Sequence, residues 1–505
     1  MPCAIENEIR MPCPFAVPEG QLVAAHNGKW CLFHLPEGVK QDWKLDSDDT
    51  VAFDHALRAW LVERTEPGLS VPLAGVVFPI EFSFADMILR EADFRRCSFL
   101  RDVDFSRCTF TDSMNFEGTV FRAASNFAEV KFEKSVDFQR TGFSGPADFE
   151  LCEFGDRAEF QCNFSAGASF TRASFNDRVS FQGGVYVYAR YNECRFQNVA
   201  NFRGYSFEAM ADFDGARFDG IAYFMNANFS QGASFNNGRF ATETSFVCSA
   251  FGGPISFVKA EFQGNADFTG GKVHKSSDAF AVADFSNTLF ARDARFSNRT
   301  FADRTNFRGA VFKKAPKFHN SQLHQDTVFR SARFLDLSSE AEQAYRTLKL
   351  AMEADRARFE QSEFFALEQT CRRKRLWEDR RWAEWVTSGA YALSARYGQS
   401  FLRPIACIFV FLFLFALIYL LIAQTTISDE NPMSVNDAVA FAFEQVFRPF
   451  HIWASGPRVS HEEWVVAVLS SSPLLLRLTA TIHSLVTLGL FAISLVALRR
   501  RFHMA

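Results

Sequence analysis

The sequence predicts an all-β coil of short flat faces followed by a C-terminal α-helical membrane domain with two transmembrane helices. Two observations carry that prediction. Phenylalanine recurs with alternating five- and six-residue spacing from Phe94, Phe99, Phe105 and Phe110 to Phe318, Phe329 and Phe334. Near the C-terminus, two stretches without Asp, Glu, Lys or Arg are each long enough to cross ~30 Å of hydrocarbon as a helix.

Residues 1–77 lack the repeat and read as a capping region, because the end of a coil exposes apolar faces and unpaired strand edges that something must cover. Trp30–Lys40 reads as a strand followed by a turn. Asp48–Arg64 reads as an amphipathic helix with an acidic first turn. Cys3, Cys13, Cys31 and His34 are candidate ligands for a structural zinc, since Cys-x2-His spacing suits that ion. A hydrophobic cap with ordinary thiols is the competing reading, and no other cofactor is expected.

Residues 78–336 form the coil. In "VDFSRCTFTDS" each Phe follows a small apolar residue two places earlier, Val103 and Cys108. Ala92, Cys97, Val136, Ala147, Cys152 and Ala158 hold the same place elsewhere. Neither a helical period of 3.6 nor a strand period of two fits this pattern over hundreds of residues, whereas a corner every five or six residues does. The triplets Ala92–Phe94, Val136–Phe138, Ala147–Phe149 and Ala266–Phe268 resemble the pentapeptide-repeat family in a Phe-rich form. That resemblance implies a right-handed quadrilateral β-helix. With four units per coil of about 22 residues and ~4.8 Å between coils, the rod would be roughly 50–60 Å long. Each buried Phe would contribute ~2–3 kcal/mol. Phase slips at Phe160–Phe164, Tyr186–Tyr191 and Val273–Phe280 are expected to be bulges or loops.

Charge and cysteine content narrow the partners. The formal net charge is −4, and within the repeats acidic and basic residues nearly balance, which argues against a DNA-like negative surface; no nucleic-acid partner is expected. Eleven cysteines with no secretory signal at the start of the chain suggest free thiols in a reducing compartment. Cys97, Cys108, Cys152, Cys162 and Cys194 read as small core residues.

Residues 337–402 are a helical linker. Tyr345, Leu348, Met352, Phe359, Phe364 and Leu367 recur at near-helical intervals and define an apolar stripe on a helix or helix pair capping the last coil. Trp377, Trp382 and Trp385 beside arginines suit a helix lying in the lipid headgroup layer, with an ordinary packing helix as the alternative.

Residues 403–505 hold the spans, Ile405–Ile422 and Leu478–Leu498. Arg372, Arg373, Lys374, Arg375 and Arg403 precede the first, and Arg499, Arg500 and Arg501 follow the second. The positive-inside rule then leaves the rod and both termini in the cytoplasm. Between the spans, residues 431–453 begin with turn residues and an N-cap, Ser434 or Asn436. A short apolar helix follows, Ala438–Phe447, stopping at Arg448-Pro449. Span, capped short helix, extended stretch and span is the order of two-span pore-loop channels. With Arg396–Pro404 before the first span, a short helix ending in Arg448-Pro449-Phe450 and a second span closing at Ala497–Phe502, the tail is similar to that of bacterial membrane-bound pentapeptide-repeat proteins with a channel-like end.

The functional expectation is a homo-oligomeric ion channel of the bacterial inner membrane, a tetramer in its simplest form, with the rod as cytosolic scaffold or sensor. The chain lacks the glycine filter and the acidic ring of cation channels. Phe447, Arg448, Pro449, Phe450, His451 and Trp453 stand at the expected constriction, where positive charge favours a permeant anion. Headgroup contact is the other reading of Arg448. His483 is either a proton-sensitive pore residue or a helix-to-helix hydrogen-bonding group. The rival function is a non-conducting membrane-anchored adaptor whose β-helix binds a cytosolic protein. No phosphate loop, nucleophile elbow or His-Glu-x-x-His supports an enzyme.

Overall fold

The five-and-six alternation folds into a coil of four faces, each face holding a two-residue strand. Strands pair in parallel with the strand one coil on, as in Val120↔Gly142, Ser125↔Ala147, Lys131↔Glu153 and Val136↔Ala158, so that one coil takes 22 residues. The computed structural model describes residues 13–15, 23–25, 28–41, 47–64, 70–181, 185–271, 279–354, 357–426, 434–447 and 473–502. The chain divides into two units, Met1–Asp336 and Leu337–Ala505. Among the described residues of the first, the four parallel sheets have 9, 11, 12 and 9 strands. At ~4.8 Å per strand the longest face runs about 53 Å.

Corners follow from local chemistry. Many corners hold a residue at positive φ, and along one stretch these recur every eleven residues: Arg96 (56°), Arg107 (57°), Gly118 (72°), Glu129 (60°) and Arg140 (58°). The turn at Arg96 is closed by the Cys97 N–H on the Phe94 carbonyl at 3.1 Å. Where Asp or Asn precedes the ring, its side chain can hold the start of the turn by accepting the N–H two residues on, at 3.0 Å for Asp93–Arg95, 2.8 Å for Asn115–Glu117 and 2.7 Å for Asp137–Gln139. This Asx geometry explains the middle letter of the Ala-Asp-Phe triplets.

The small residues before each Phe occupy two different places, which the spacing alone does not separate. Val103, Met114 and Ala147 begin strands and pack. Cys97, Cys108, Thr119, Thr141 and Cys152 end turns, and each donates to a carbonyl of the previous coil: Leu73, Phe84, Phe94, Phe116 and Phe127, at 2.6–2.9 Å. Burial pushes the Cys108 thiol up to about 12 and also raises those of Cys97, Cys152 and Cys194 well above the ordinary thiol range, so they remain S–H donors. Cys162 is buried as expected.

Ring stacking fills the interior. Phe84, Phe105, Phe127, Phe149, Phe170, Tyr191 and Phe213 form one column with centroids 4.8–5.1 Å apart and planes within 10°. The neighbouring column meets it edge-on, Phe94 on Phe105 at 5.4 Å and 88°. Both arrangements suit the ring quadrupole.

The first phase slip differs from expectation. At Phe160–Phe164 the corner is one residue short rather than bulged: Phe143 pairs with Phe164, 21 residues on, and the two rings still stack at 4.5 Å. The ring column sets the register, so the corner absorbs the deletion. Tyr191 takes a column place, while residues 182–184 lie outside the described residues. Of the third slip, residues 272–278 lie outside them too. Beyond it Ala266 pairs with Ala294, an interval of 28 residues, so the coil resumes after an insertion of six.

Ahead of the coil, Val23–Ala25 pairs antiparallel with Gly28–Trp30. Within Trp30–Lys40, expected as a strand followed by a turn, the strand ends at Trp30 and a 3-10 turn, Leu32–His34, and a short helix, Glu37–Lys40, follow. Pro36 supplies no backbone donor for a longer strand. Helix α1, Asp48–Arg64, matches the expectation. Its buried Phe53, Leu57 and Leu61 share one face, and Phe53 meets Phe78 of the first coil edge-on at 6.0 Å.

The second unit holds α2 (Glu342–Ala354), α3 (Arg358–Glu378), α4 (Trp382–Ala395), α5 (Leu402–Thr426), α6 (Val435–Phe447) and α7 (Pro473–Phe502). Tyr345, Leu348, Met352 and Phe364 are buried as the stripe predicts. Phe359 is instead 67% exposed at the start of α3, where Cys371 and Leu376 do the packing. Helices α5 and α7 contain windows, Leu402–Gln424 and Leu474–Arg499, long and apolar enough to cross a membrane.

Candidate functional site

Helix α6 is held at its start by reciprocal capping: the Asp437 N–H donates to Ser434 Oγ (3.2 Å) and the Ser434 N–H to Asp437 Oδ2 (3.3 Å). Of the two cap candidates the structure uses Ser434, and the helix therefore begins at Val435. Ala438, Ala442 and Val446 recur every fourth residue, are buried, and belong to the same apolar cluster as Leu412, Phe415 and Tyr419 of α5 and Leu476 and Leu490 of α7. Small side chains at that spacing let helix backbones approach closely.

Polar groups mark the same contact. The Phe441 ring meets Tyr419 edge-on at 4.9 Å, and Ser484 Oγ donates to the Gln445 carbonyl at 3.1 Å, with the Gln445 side chain buried. His483 Nδ1 lies 3.3 Å from Tyr419 Oη, its ring stacks on Phe415 at 4.2 Å, and Nε2 is buried without a hydrogen-bond partner among the described residues. His483 thus joins the two long helices. Phe447 lies apart from it, against Phe443 (5.0 Å) and Phe491 (6.4 Å). Arg448, Pro449, Phe450, His451 and Trp453 lie outside the described residues. Phe409, Val410, Phe413, Leu478, Ile482 and Leu485 form exposed apolar surface on α5 and α7.

Two polar features escaped the sequence reading. Between α2 and α3, buried Glu342 and Glu368 share Arg346 (2.7 and 2.8 Å), Lys349 hydrogen-bonds Glu368 (2.8 Å) and Arg375 forms an ion pair with Glu342 (3.1 Å). Burial pushes the Glu368 carboxyl up, but hydrogen bonds from Lys349 and Arg346 outweigh it and hold the group below its ordinary range. The i,i+4 pair Glu342–Arg346 was the available signal. Within the coil, Arg299 is fully buried. It donates from Nε to the Phe268 carbonyl, from Nη1 to Ser249 (2.7 Å) and from Nη2 to Phe246 (2.9 Å). Phe251 and Phe280 each lie 5.3 Å from its guanidinium carbon.

Beside α4, Trp377 meets Trp382 edge-on at 4.5 Å and Trp385 at 5.0 Å, with Trp377 and Trp382 half exposed.

In the N-terminal cap the structure brings three of the four candidate metal ligands together. Cys13 Sγ is 3.8 Å from Cys31 Sγ and 3.5 Å from His34 Nδ1, and Cys31 Sγ is 3.0 Å from that nitrogen. Nε2 of His34 faces the Ala74 carbonyl at 3.1 Å. Cys3 lies outside the described residues. The 3-10 turn causes the Cys31–His34 contact, because residues three apart eclipse in that geometry. Lys40 is buried beside the turn, donating to the carbonyls of Phe33 (2.9 Å) and Val77 (2.6 Å); desolvation drives its ammonium well below the usual lysine range.

Residues 94–142 and 191–239 match a family model described as pentapeptide repeats, in nine copies. Neither a curated protein nor a solved structure matches the chain.

Proposed function

We propose that this protein, a pentapeptide-repeat solenoid continuous with a helical unit that has two membrane-length helices, is the subunit of an oligomeric ion-conducting pore. The observation that carries the reading is α6. Its 13 residues span about 20 Å, too short for ~30 Å of hydrocarbon. Yet α6 lies against Tyr419 and Ser484, inside the apolar windows of both long helices. Interrupted helix at such a depth is tolerated where protein walls it in or where it borders water, and buried Gln445, His483 and Thr487 supply polar groups there. The exposed apolar faces of α5 and α7 suit lipid and neighbouring copies, with four copies around one axis as the simplest arrangement. Arg448 and His451, next in sequence after α6, favour anions. In this reading the solenoid is a cytosolic scaffold or sensor, both termini are cytoplasmic, the Trp377–Trp385 cluster sits in the headgroup layer and the host is a bacterial inner membrane.

Purified protein in planar bilayers is expected to pass current with anion preference, and Arg448→Glu is expected to lower or reverse that preference. Silence from folded oligomers would overturn conduction and leave a membrane-tethered adaptor. Current with selectivity unaltered by the substitution would take Arg448 out of the permeation path.

A further inference from the structure

We propose that Cys13, Cys31 and His34 bind a structural zinc ion that locks the cap onto the first coil. The argument is geometric and independent of conduction. Around a tetrahedral zinc with Zn–S about 2.3 Å and Zn–N about 2.0–2.1 Å, the sulfur–sulfur edge is about 3.8 Å and the sulfur–nitrogen edge about 3.6 Å. The separations from Cys13, 3.8 Å to Cys31 Sγ and 3.5 Å to His34 Nδ1, fall on those edges. The Cys31–His34 separation of 3.0 Å has to open by about half an ångström, a small adjustment for a side chain at the end of a 3-10 turn.

The histidine is set up for the task. Its Nε2 faces the Ala74 carbonyl, which can only accept, so Nε2 carries the proton and Nδ1 presents its lone pair to the two sulfurs. A backbone carbonyl on the far nitrogen is a common outer partner of a zinc-bound imidazole, fixing its tautomer and orientation. Cys31 and His34 are almost fully buried, and Phe15, stacked on Phe33 at 4.0 Å and edge-on to His34 at 5.5 Å, walls the group. Binding releases two thiol protons to solvent, and the two thiolates balance the dication. The ion would join the segment at Cys13 to the turn at Cys31–His34, and through Ala74 to the coil, where residues before a solenoid's first turn have few partners. Cys3 lies outside the described residues, so the proposal is confined to the three described donors.

Elemental analysis of the full chain, purified in detergent without chelator, is expected to find about one zinc per chain. Cys31→Ser and His34→Ala are each expected to lower bound zinc at least about tenfold. His34→Cys, which keeps a donor, should retain the metal. Because the loss variants risk misfolding, unaltered protein depleted of metal and refilled with cobalt(II) supplies a second readout: a tetrahedral cobalt spectrum with a sulfur-to-metal charge-transfer band. Protein from zinc-replete cells that carries no zinc and gives no such spectrum would overturn the proposal. So would zinc content untouched by both loss variants.

Discussion

Arg299 illustrates how one residue is made tolerable by its neighbours. Its place in the turn, three after Phe296, is held elsewhere by Cys97, Thr119 or Ser249, each donating once to the coil before. One coil earlier the same place holds Gly271, which has no side chain to donate, and the guanidinium extends past it to carbonyls two coils away. A buried cation is otherwise costly; here carbonyls and ring faces offset its desolvation. Arg299→Met is therefore expected to lower unfolding free energy by about 3 kcal/mol, since it strands buried acceptors. Gly271→Ser combined with Arg299→Thr should recover part of it by restoring the ordinary donors. Denaturant titration of the full chain, followed by the sheet signal, checks both; equal midpoints for Arg299→Met and the unaltered protein would show that the carbonyls find other partners.

At the scale of elements, α2 and α3 are fastened by charge as well as by Tyr345, Leu348 and Phe364. Glu368 has its carboxyl lowered relative to the unfolded chain, so its contribution is fully present above the ordinary Glu range, about 4.3, and is lost as pH falls through the lowered value. Arg346 is 41% exposed, which screens its share. Glu368→Gln is expected to cost about 1–2 kcal/mol at neutral pH, seen as roughly five- to thirtyfold faster amide exchange in α2 and α3. The unaltered protein should show the same acceleration only on acidification below the ordinary Glu range, and a pH-independent difference between the two would refute the linkage.

For the whole molecule, stacking makes the solenoid quasi-one-dimensional, with each coil touching mainly its neighbours. Corners accept change and faces do not: the coil loses one residue at Phe160–Phe164 and gains six between Ala266 and Ala294 with ring columns intact. Doubling the insertion with Gly and Ser should therefore shift stability by only about 0.6 kcal/mol, whereas one residue added between Ala222 and Phe224 turns a ring outward and should cost at least about 3 kcal/mol. Thermal melts of both insertions in detergent compare them directly, and equal losses would contradict the columnar picture.

The repeat, its 22-residue coil, α1 and the two long apolar helices were legible because each is a periodicity, and hydrophobic burial acts on periodicity directly. Phe359 and the strand-then-turn expected over Trp30–Lys40 came out differently because a pattern gives no account of where an element stops. What folding alone decided is which distant groups meet: Arg299 with Ser249, Glu342 with Arg375, and His483 with Tyr419. The reason is physical. Apolar burial is additive along a chain and can be read from it, whereas hydrogen bonds and ion pairs depend on distances of a few tenths of an ångström that exist only once the coils and helices have packed.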